Sequence, residues 1–271
     1  MSERMLARTE KDGITVHTDT ALRAAVGIAV GFTERTGGVS AAPHATLNLA
    51  AHVEDDPALV DENRFRVLSA LGAEPFAERL TTAEQVHGTL LTRVHRSNAG
   101  CGARALGGRG PIPATDALWT TEPGVPLMLF YADCVPVILV SEAPRAIAVV
   151  HAGWRGALAG IVGDTVRAIG AELDGAVMTA YIGPHIGECC YEVDPHLVSQ
   201  FSNMFVTIPR ASDRLDLAAA VAEDLDRAGV SRERQWHLGI CTAHNTDRFY
   251  SYRAEGRTGR HCAFALLEPR S

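Results

Sequence analysis

The sequence predicts an α/β fold, a single layered α/β/β/α-type domain with mixed sheets and helices on the outside. Two observations lead there. Short apolar runs rich in β-branched residues, such as "VPVILV" and "AIAVV", suit strands covered on both faces. Between them lie segments of helical spacing that open on Asp and close on Gly. Strands cluster before Ala157 without intervening helices, which favours mixed or antiparallel pairing over a regular βαβ repeat. A chain of 271 residues, 46% hydrophobic, can bury one sizeable core. The expected unit is 1–271, with 1–25 as a variable N-terminal segment.

In chain order, "DPALVDENRFRVLSALG" (56–72) reads as a helix, with Asp as cap and Pro in its first turn. "RLTTAEQVHG" (79–88) and "LLTRVHR" (90–96) read as strands, as do "PLMLFYADCVPVILVS" (126–141) and "AIAVVHAG" (146–153). A helix over 157–173 follows, then a strand over 176–184. Helices are expected at 194–205 and 213–229, and strands at 235–243 and 261–268. Gly, Pro, Ser and Asp mark three connectors, 33–57, 96–117 and 253–261. The middle one, holding Gly, Ala and Arg with few large apolar anchors, is expected to be the most mobile.

The formal net charge of −7 argues against nucleic acid or an anionic membrane as partner, since both call for concentrated Lys and Arg. The N-terminal "MSERMLARTEKDG" mixes charges where an export peptide has an apolar core. The longest apolar run carries Asp133 and is shorter than the ~20 residues of a membrane helix. Six cysteines without a regular framework suit reduced thiols, and a cytoplasmic protein is expected.

Polar residues recur where strands are expected to end: His87, Asp133 with Cys134, and His151. Such edges are where α/β proteins build sites. Two imidazoles and a thiolate suit Zn²⁺ and leave one coordination position open, as catalytic sites do. A structural site fills four positions, often through Cys-x-x-Cys pairs, and the chain contains none. Taken singly, His87 reads equally as a hydrogen-bonded loop histidine, and Cys134 as a buried hydrophobe. Cys134 also reads as a thiolate nucleophile with His151 as its base, a Cys-His hydrolase or deamidase that needs no metal.

The strings "TTAEQVHG", "ADCVPV", "VHAGWRGALAGIV", "AYIGPHIGECCYEV", "CTAHNTDRFYSYR" and "TGR" resemble the YfiH-type laccase-domain family, as do "TERTGGVS", "TLNLAAHVEDDP" and "ENR" upstream. The resemblance runs from about Phe32 to about Leu267. It implies zinc ligands at His87, Cys134 and His151. It further implies phosphorolysis of adenosine, inosine, guanosine and methylthioadenosine, with an adenosine deaminase side activity, so that the partners are purine nucleosides and phosphate. Editing of cell-wall nucleotide precursors is a role also attached to bacterial members. The family's older label, polyphenol oxidase or laccase, fits less well, because the eleven histidines include no His-x-His pair. Copper remains open as the metal, since it binds such ligands more tightly than zinc. Glu54 stands where the family usually has Gly, and His44 where it has an aromatic.

For the chemistry around the metal, Arg35 in "TERTGGVS" is expected to grip phosphate, and His185 in "IGPHIG" to protonate the leaving purine. Gln85 and Arg155 are expected as substrate contacts, although a carboxylate partner or a supporting role suits Arg155 as well. Asp133 is expected to orient a ligand imidazole. Cys189 and Cys190 are read as packing residues, and Trp154 either as packing under the site or as stacking on a purine.

Overall fold

The computed structural model describes residues 6–210 and 212–270. The chain opens with a hairpin of β1 (Ala7–Lys11) and β2 (Ile14–Thr18). Its two-residue turn is Asp12–Gly13, both at positive φ, the Asp-Gly turn whose twist matches paired strands. Helix α1 (Thr20–Val26) is capped by the Asp19 side chain and closed by left-handed Gly27, and β3 (Ile28–Thr33) follows. Residues 7–26 therefore carry regular structure, and Ile14, Val16 and Leu22 are buried. Residues 1–5 of the expected variable segment lie outside the described residues.

Helix α2 (Pro57–Ala70) starts as its sequence predicts, with Asp56 accepting from the Ala58 N–H and Pro57 in the first turn. The run 79–88 is a correction: Thr81 and Ala83 form only isolated bridges, and the chain then turns away through His87 at φ +60°. Short strands β4 (Leu91–Arg93) and β5 (Ala117–Thr120) come next. The apolar run 126–141 breaks in two, β6 (Leu127–Tyr131) and β7 (Val135–Glu142), and β8 (Arg145–Ala152) follows. The expected helix at 157–173 is also two, α3 (Trp154–Leu158) and α4 (Ile161–Glu172), divided at Gly160, whose φ is +82°. Strand β9 (Met178–Ile182) and helices α5 (Pro195–Met204) and α6 (Leu217–Arg227) match expectation within a few residues. Strand β10 (Gln235–His237) is much shorter than the expected 235–243. A single-turn helix α7 (Tyr252–Glu255) precedes β11 (His261–Leu267).

The strands form two sheets. One, ordered β1-β2-β3-β11-β6, is antiparallel throughout. The other, β10-β9-β7-β8-β5-β4, is mixed, with parallel pairs at both edges. Strand alternation sorts the side chains into layers. Ile138, Val140, Ile147 and Val149 meet Val30, Phe32, Leu127 and Leu129 between the sheets. Val137, Leu139, Ala148 and Val150 face the other way, onto Ile161, Val162, Phe201 and Val221 of α4, α5 and α6. A third core packs Ala29, Met128, Phe264 and Leu266 against Val67 and Leu68 of α2. This is the expected α/β/β/α layering. Among the described residues, no helix is long and apolar enough to cross a membrane.

Candidate active site

Strand alternation also aims His151. It shares the inter-sheet face of β8 with Ile147 and Val149, and its ring lies 5.5 Å from that of Tyr131. Cys134 ends the turn between β6 and β7, where Asp133 adopts φ +93°. His87 arrives from the loop before β4. Its ring meets that of His151 edge-on at 4.9 Å. One ligand atom from each of His87, Cys134 and His151 lies within 4.8 Å of the others, so the three converge as expected. Gly153 makes room for them. A Cβ there would stand 2.8 Å from the His87 ring and 3.3 Å from the Cys134 sulfur.

Asp116, fully buried just before β5, organises this group. Its Oδ1 lies 2.7 Å from His151 Nδ1 and accepts from the His87 N–H at 3.0 Å. Its Oδ2 accepts from the N–H groups of Gly88 at 2.7 Å and Val86 at 3.2 Å. One carboxylate thus holds the unusual backbone of 86–88 and the imidazole of His151. With Nδ1 engaged there, Nε2 is the His151 atom left to face Cys134.

Burial alone would push the Cys134 thiol up, but the His151 and His87 imidazoles outweigh it and bring it down to about 6. Burial would lower His151; the Cys134 thiolate and Asp116 carboxylate outweigh it and raise it to about 9. Burial likewise opposes ionisation of Asp116, yet the bonds from His151, Gly88 and Val86 hold it below its usual range. Three donors of nitrogen and sulfur type, one already anionic near neutral pH and one backed by a carboxylate, fit a divalent ion such as zinc.

The group opens into a cavity of about 350 Å³, within the range of small-molecule sites. Phe130, Ile186, Tyr191 and Tyr252 supply apolar and aromatic wall, and Arg253 and Arg260 supply positive charge. The Arg253 guanidinium donates to the Glu192 carbonyl and lies 5.1 Å from the Tyr191 ring centroid. Arg260 Nη1 donates to the carbonyls of Thr258 and Gly259, and burial lowers its pKa.

Of the five other expected residues, Gln85 and Asp133 line the cavity and Arg35, Arg155 and His185 do not. Arg35 lies outside the cavity lining. Its Nη1 donates to the Thr246 carbonyl and Glu255 carboxylate, its Nε to the Ala45 carbonyl, and it stacks 4.2 Å over Tyr250. Its Nε and Nη1 join two loops. Gln85 does line the cavity, yet its amide bonds both backbone groups of Phe130. Arg155 is exposed and lies over the Trp154 ring at 4.2 Å, while Trp154 packs on the helix-side core. His185 is buried with Nδ1 2.8 Å from the Gly183 carbonyl, away from the cavity lining. Asp133 lines the cavity but orients no imidazole: it accepts from the Thr242 hydroxyl and the Arg253 N–H. Asp116 has that task.

A family model described as multi-copper polyphenol oxidoreductase laccase matches residues 29–268. The chain belongs to this family. Within the laccase-domain family, a Streptomyces coelicolor protein named purine nucleoside phosphorylase SCO2081 is 36% identical over 244 residues, covering 88% of this chain and 95% of that protein. Purine nucleoside phosphorylase YlmD of Geobacillus stearothermophilus is 37% identical over 252 residues, covering 88% and 89%. The crystal structure of YlmD from that organism superposes with a TM-score of 0.87 at 33% identity, covering 98% of this chain and all of that one. The crystal structure of Bacillus licheniformis hypothetical protein YfiH gives 0.85 at 29%, covering 96% and 98%. Glu54, one of the departures noted above, sits at φ +62°, the backbone region that favours Gly, and pairs with Arg257 at the surface.

Sequence reasoning missed Asp116, Arg253 and Arg260 as site residues. The two arginines lie inside "FYSYR" and "TGR", strings that carried the family resemblance. Asp116 had no comparable signal, because only folding brings it beside His151, 35 residues on.

Proposed function

We propose that this protein is a zinc-dependent purine nucleoside phosphorylase, accepting adenosine, inosine, guanosine and methylthioadenosine, with adenosine deamination as a side activity. One observation carries the reading: a three-donor metal group, open on one side, faces a cavity walled by aromatic side chains and two arginines. The names of the relatives from Streptomyces and Geobacillus support it.

His87, Cys134 and His151 would hold the zinc. When bound, the ion supplies Lewis acidity at the reacting end of the cavity. Asp116 keeps the His151 ring in one tautomer and orientation. Tyr191, Tyr252 and Phe130 offer ring faces for a purine, and their apolar surface displaces water from it. Arg253 and Arg260 take the anion-binding task first expected of Arg35 and Arg155, since theirs are the guanidinium groups at the cavity. Phosphate held there attacks the ribose carbon as that carbon's bond to the purine nitrogen breaks, giving the sugar 1-phosphate, and the departing purine takes up a proton from solvent.

The deciding experiment is adenosine turnover by zinc-quantified protein, with and without phosphate, resolving adenine, inosine and hypoxanthine. Adenine release that depends on phosphate supports phosphorolysis, and inosine without phosphate supports deamination. If no nucleoside reacts with zinc in place, the reading fails.

The closeness of Cys134 to His151 favours one alternative, a Cys-His hydrolase. It requires full activity from metal-free protein, which the proposed reading forbids.

A further inference from the structure

A second group of metal-type side chains lies outside the cavity lining. Cys189 and Cys190 come from the loop after β9, and Cys241 and His244 from the loop after β10. Their ligand atoms all lie within 4.8 Å of one another, and Cys189 Sγ is 3.4 Å from His244 Nδ1. A tetrahedral zinc with Zn–S near 2.3 Å and Zn–N near 2.05 Å requires S···S edges of about 3.8 Å and S···N edges of about 3.6 Å. The group is already gathered to nearly that size.

We propose that Cys189, Cys190, Cys241 and His244 form a closed Cys₃His zinc site, separate from the His87–Cys134–His151 group and structural in role. Four protein ligands leave no open position, which distinguishes a structural centre from a catalytic one. Each loop supplies two ligands at short spacing, as adjacent residues in one and as Cys-x-x-His in the other. Adjacent cysteines are poorly placed to bond each other, whereas a metal can take both. Zinc binding replaces the three thiol protons, which pass to solvent, and leaves a net charge of −1 on the centre. That charge has partners ready. The Gly187 N–H donates to Cys241 Sγ at 3.2 Å, and the Arg214 guanidinium bonds the Cys189 carbonyl.

The position gives the site a purpose. The two loops are otherwise joined by a few backbone bonds, among them His185 N–H to Ile240 and Thr242 N–H to His185. Ile186 and Tyr191, on either side of the paired cysteines, line the active cavity. Thr242, next to Cys241, bonds the Asp133 side chain at 2.6 Å. A zinc ion clamping these loops would hold one wall of the cavity in place.

The test uses full-length protein prepared with zinc under reducing conditions and counts zinc per chain by mass spectrometry. Native protein is expected to hold two equivalents. The Cys189→Ser/His244→Ala protein, altered only at exposed side chains, is expected to hold one, as is His87→Ala/Cys134→Ser. Cobalt loaded into the latter should show thiolate-to-metal charge-transfer absorption that weakens when Cys189→Ser removes one of the three thiolates. The proposal is overturned if His87→Ala/Cys134→Ser protein is zinc-free, if Cys189→Ser/His244→Ala keeps the native count, or if peptide mapping of protein purified without added reductant finds two of these cysteines joined as a disulfide. These readouts are independent of nucleoside turnover, so the failure of one proposal is separable from that of the other.

Discussion

Asp116 lies 2.7 Å from His151 Nδ1 while accepting three consecutive backbone N–H groups from 86–88, so one carboxylate holds both the His151 imidazole and the backbone that carries His87. Asp116→Asn keeps the shape but removes the negative charge and points an amide at donors. Outer partners of this kind are worth about 10–100-fold in metal affinity. Zinc affinity, measured by chelator competition, should fall by that order with the fold intact. An unchanged affinity would show that the carboxylate only braces the loop.

His87→Ala should abolish zinc at this group and nucleoside turnover together. Zinc counting on a Cys189→Ser/His244→Ala background isolates the effect. Retention of metal there would mean that another side chain is the third ligand.

At Gly153 a single methyl group is enough. The new Cβ would stand 2.8 Å from the His87 ring with Cys134 close behind, and such a contact must be relieved by movement. Gly153→Ala is expected to lower zinc affinity at least 10-fold with a stability loss of about 1–3 kcal/mol, typical of overpacking. Native zinc affinity in this variant would mean that the His87 loop yields freely.

The two kinds of arginine separate in kinetics. Arg260→Ala should raise the KM for phosphate at least 10-fold. Arg35→Ala should leave that KM unchanged but cost about 1–3 kcal/mol of stability, because it removes bonds to part-buried carbonyls of two loops. The reverse pattern would return phosphate binding to Arg35.

Acid stability should depend on Glu34. Burial opposes its charge, but bonds from Arg8, Arg248 and His17 outweigh burial and bring its pKa down to about 2. The unfolded chain binds this proton near pH 4.5, so between about 4.5 and about 2 the unfolded state holds more protons. The contribution is therefore complete above about 4.5 and is lost as pH falls through that window, on the order of 3 kcal/mol in all. Urea unfolding at stepped pH should show Glu34→Gln less stable at pH 7 and less sensitive to acid. Parallel curves for the two proteins would refute the assignment.

Much of this was open to reading before any coordinates. The β-branched runs around Val137 and Val149 must be covered on both faces, and Asp-Pro starts such as 56–57 and 194–195 set helix ends locally, because caps and periodicity act within a few residues. Local order also placed His151 at the end of a buried strand. The strand expected at 79–88 failed because His87 adopts a backbone that Asp116 imposes from 29 residues away. Arg35 and Arg260 are alike in sequence, each in a Gly- and Thr-bearing string. Only the tertiary structure shows that Tyr250, Thr246 and Glu255 occupy the first while the second reaches the cavity. Cys189, Cys190, Cys241 and His244 tell the same story: residue type and short spacing are written in the chain, but the approach of loops some 50 residues apart is decided by the parallel pairing of β9 with β10. A sequence determines what its neighbours can do together. Which distant groups become neighbours depends on long-range packing, and that is where this protein's chemistry is assembled.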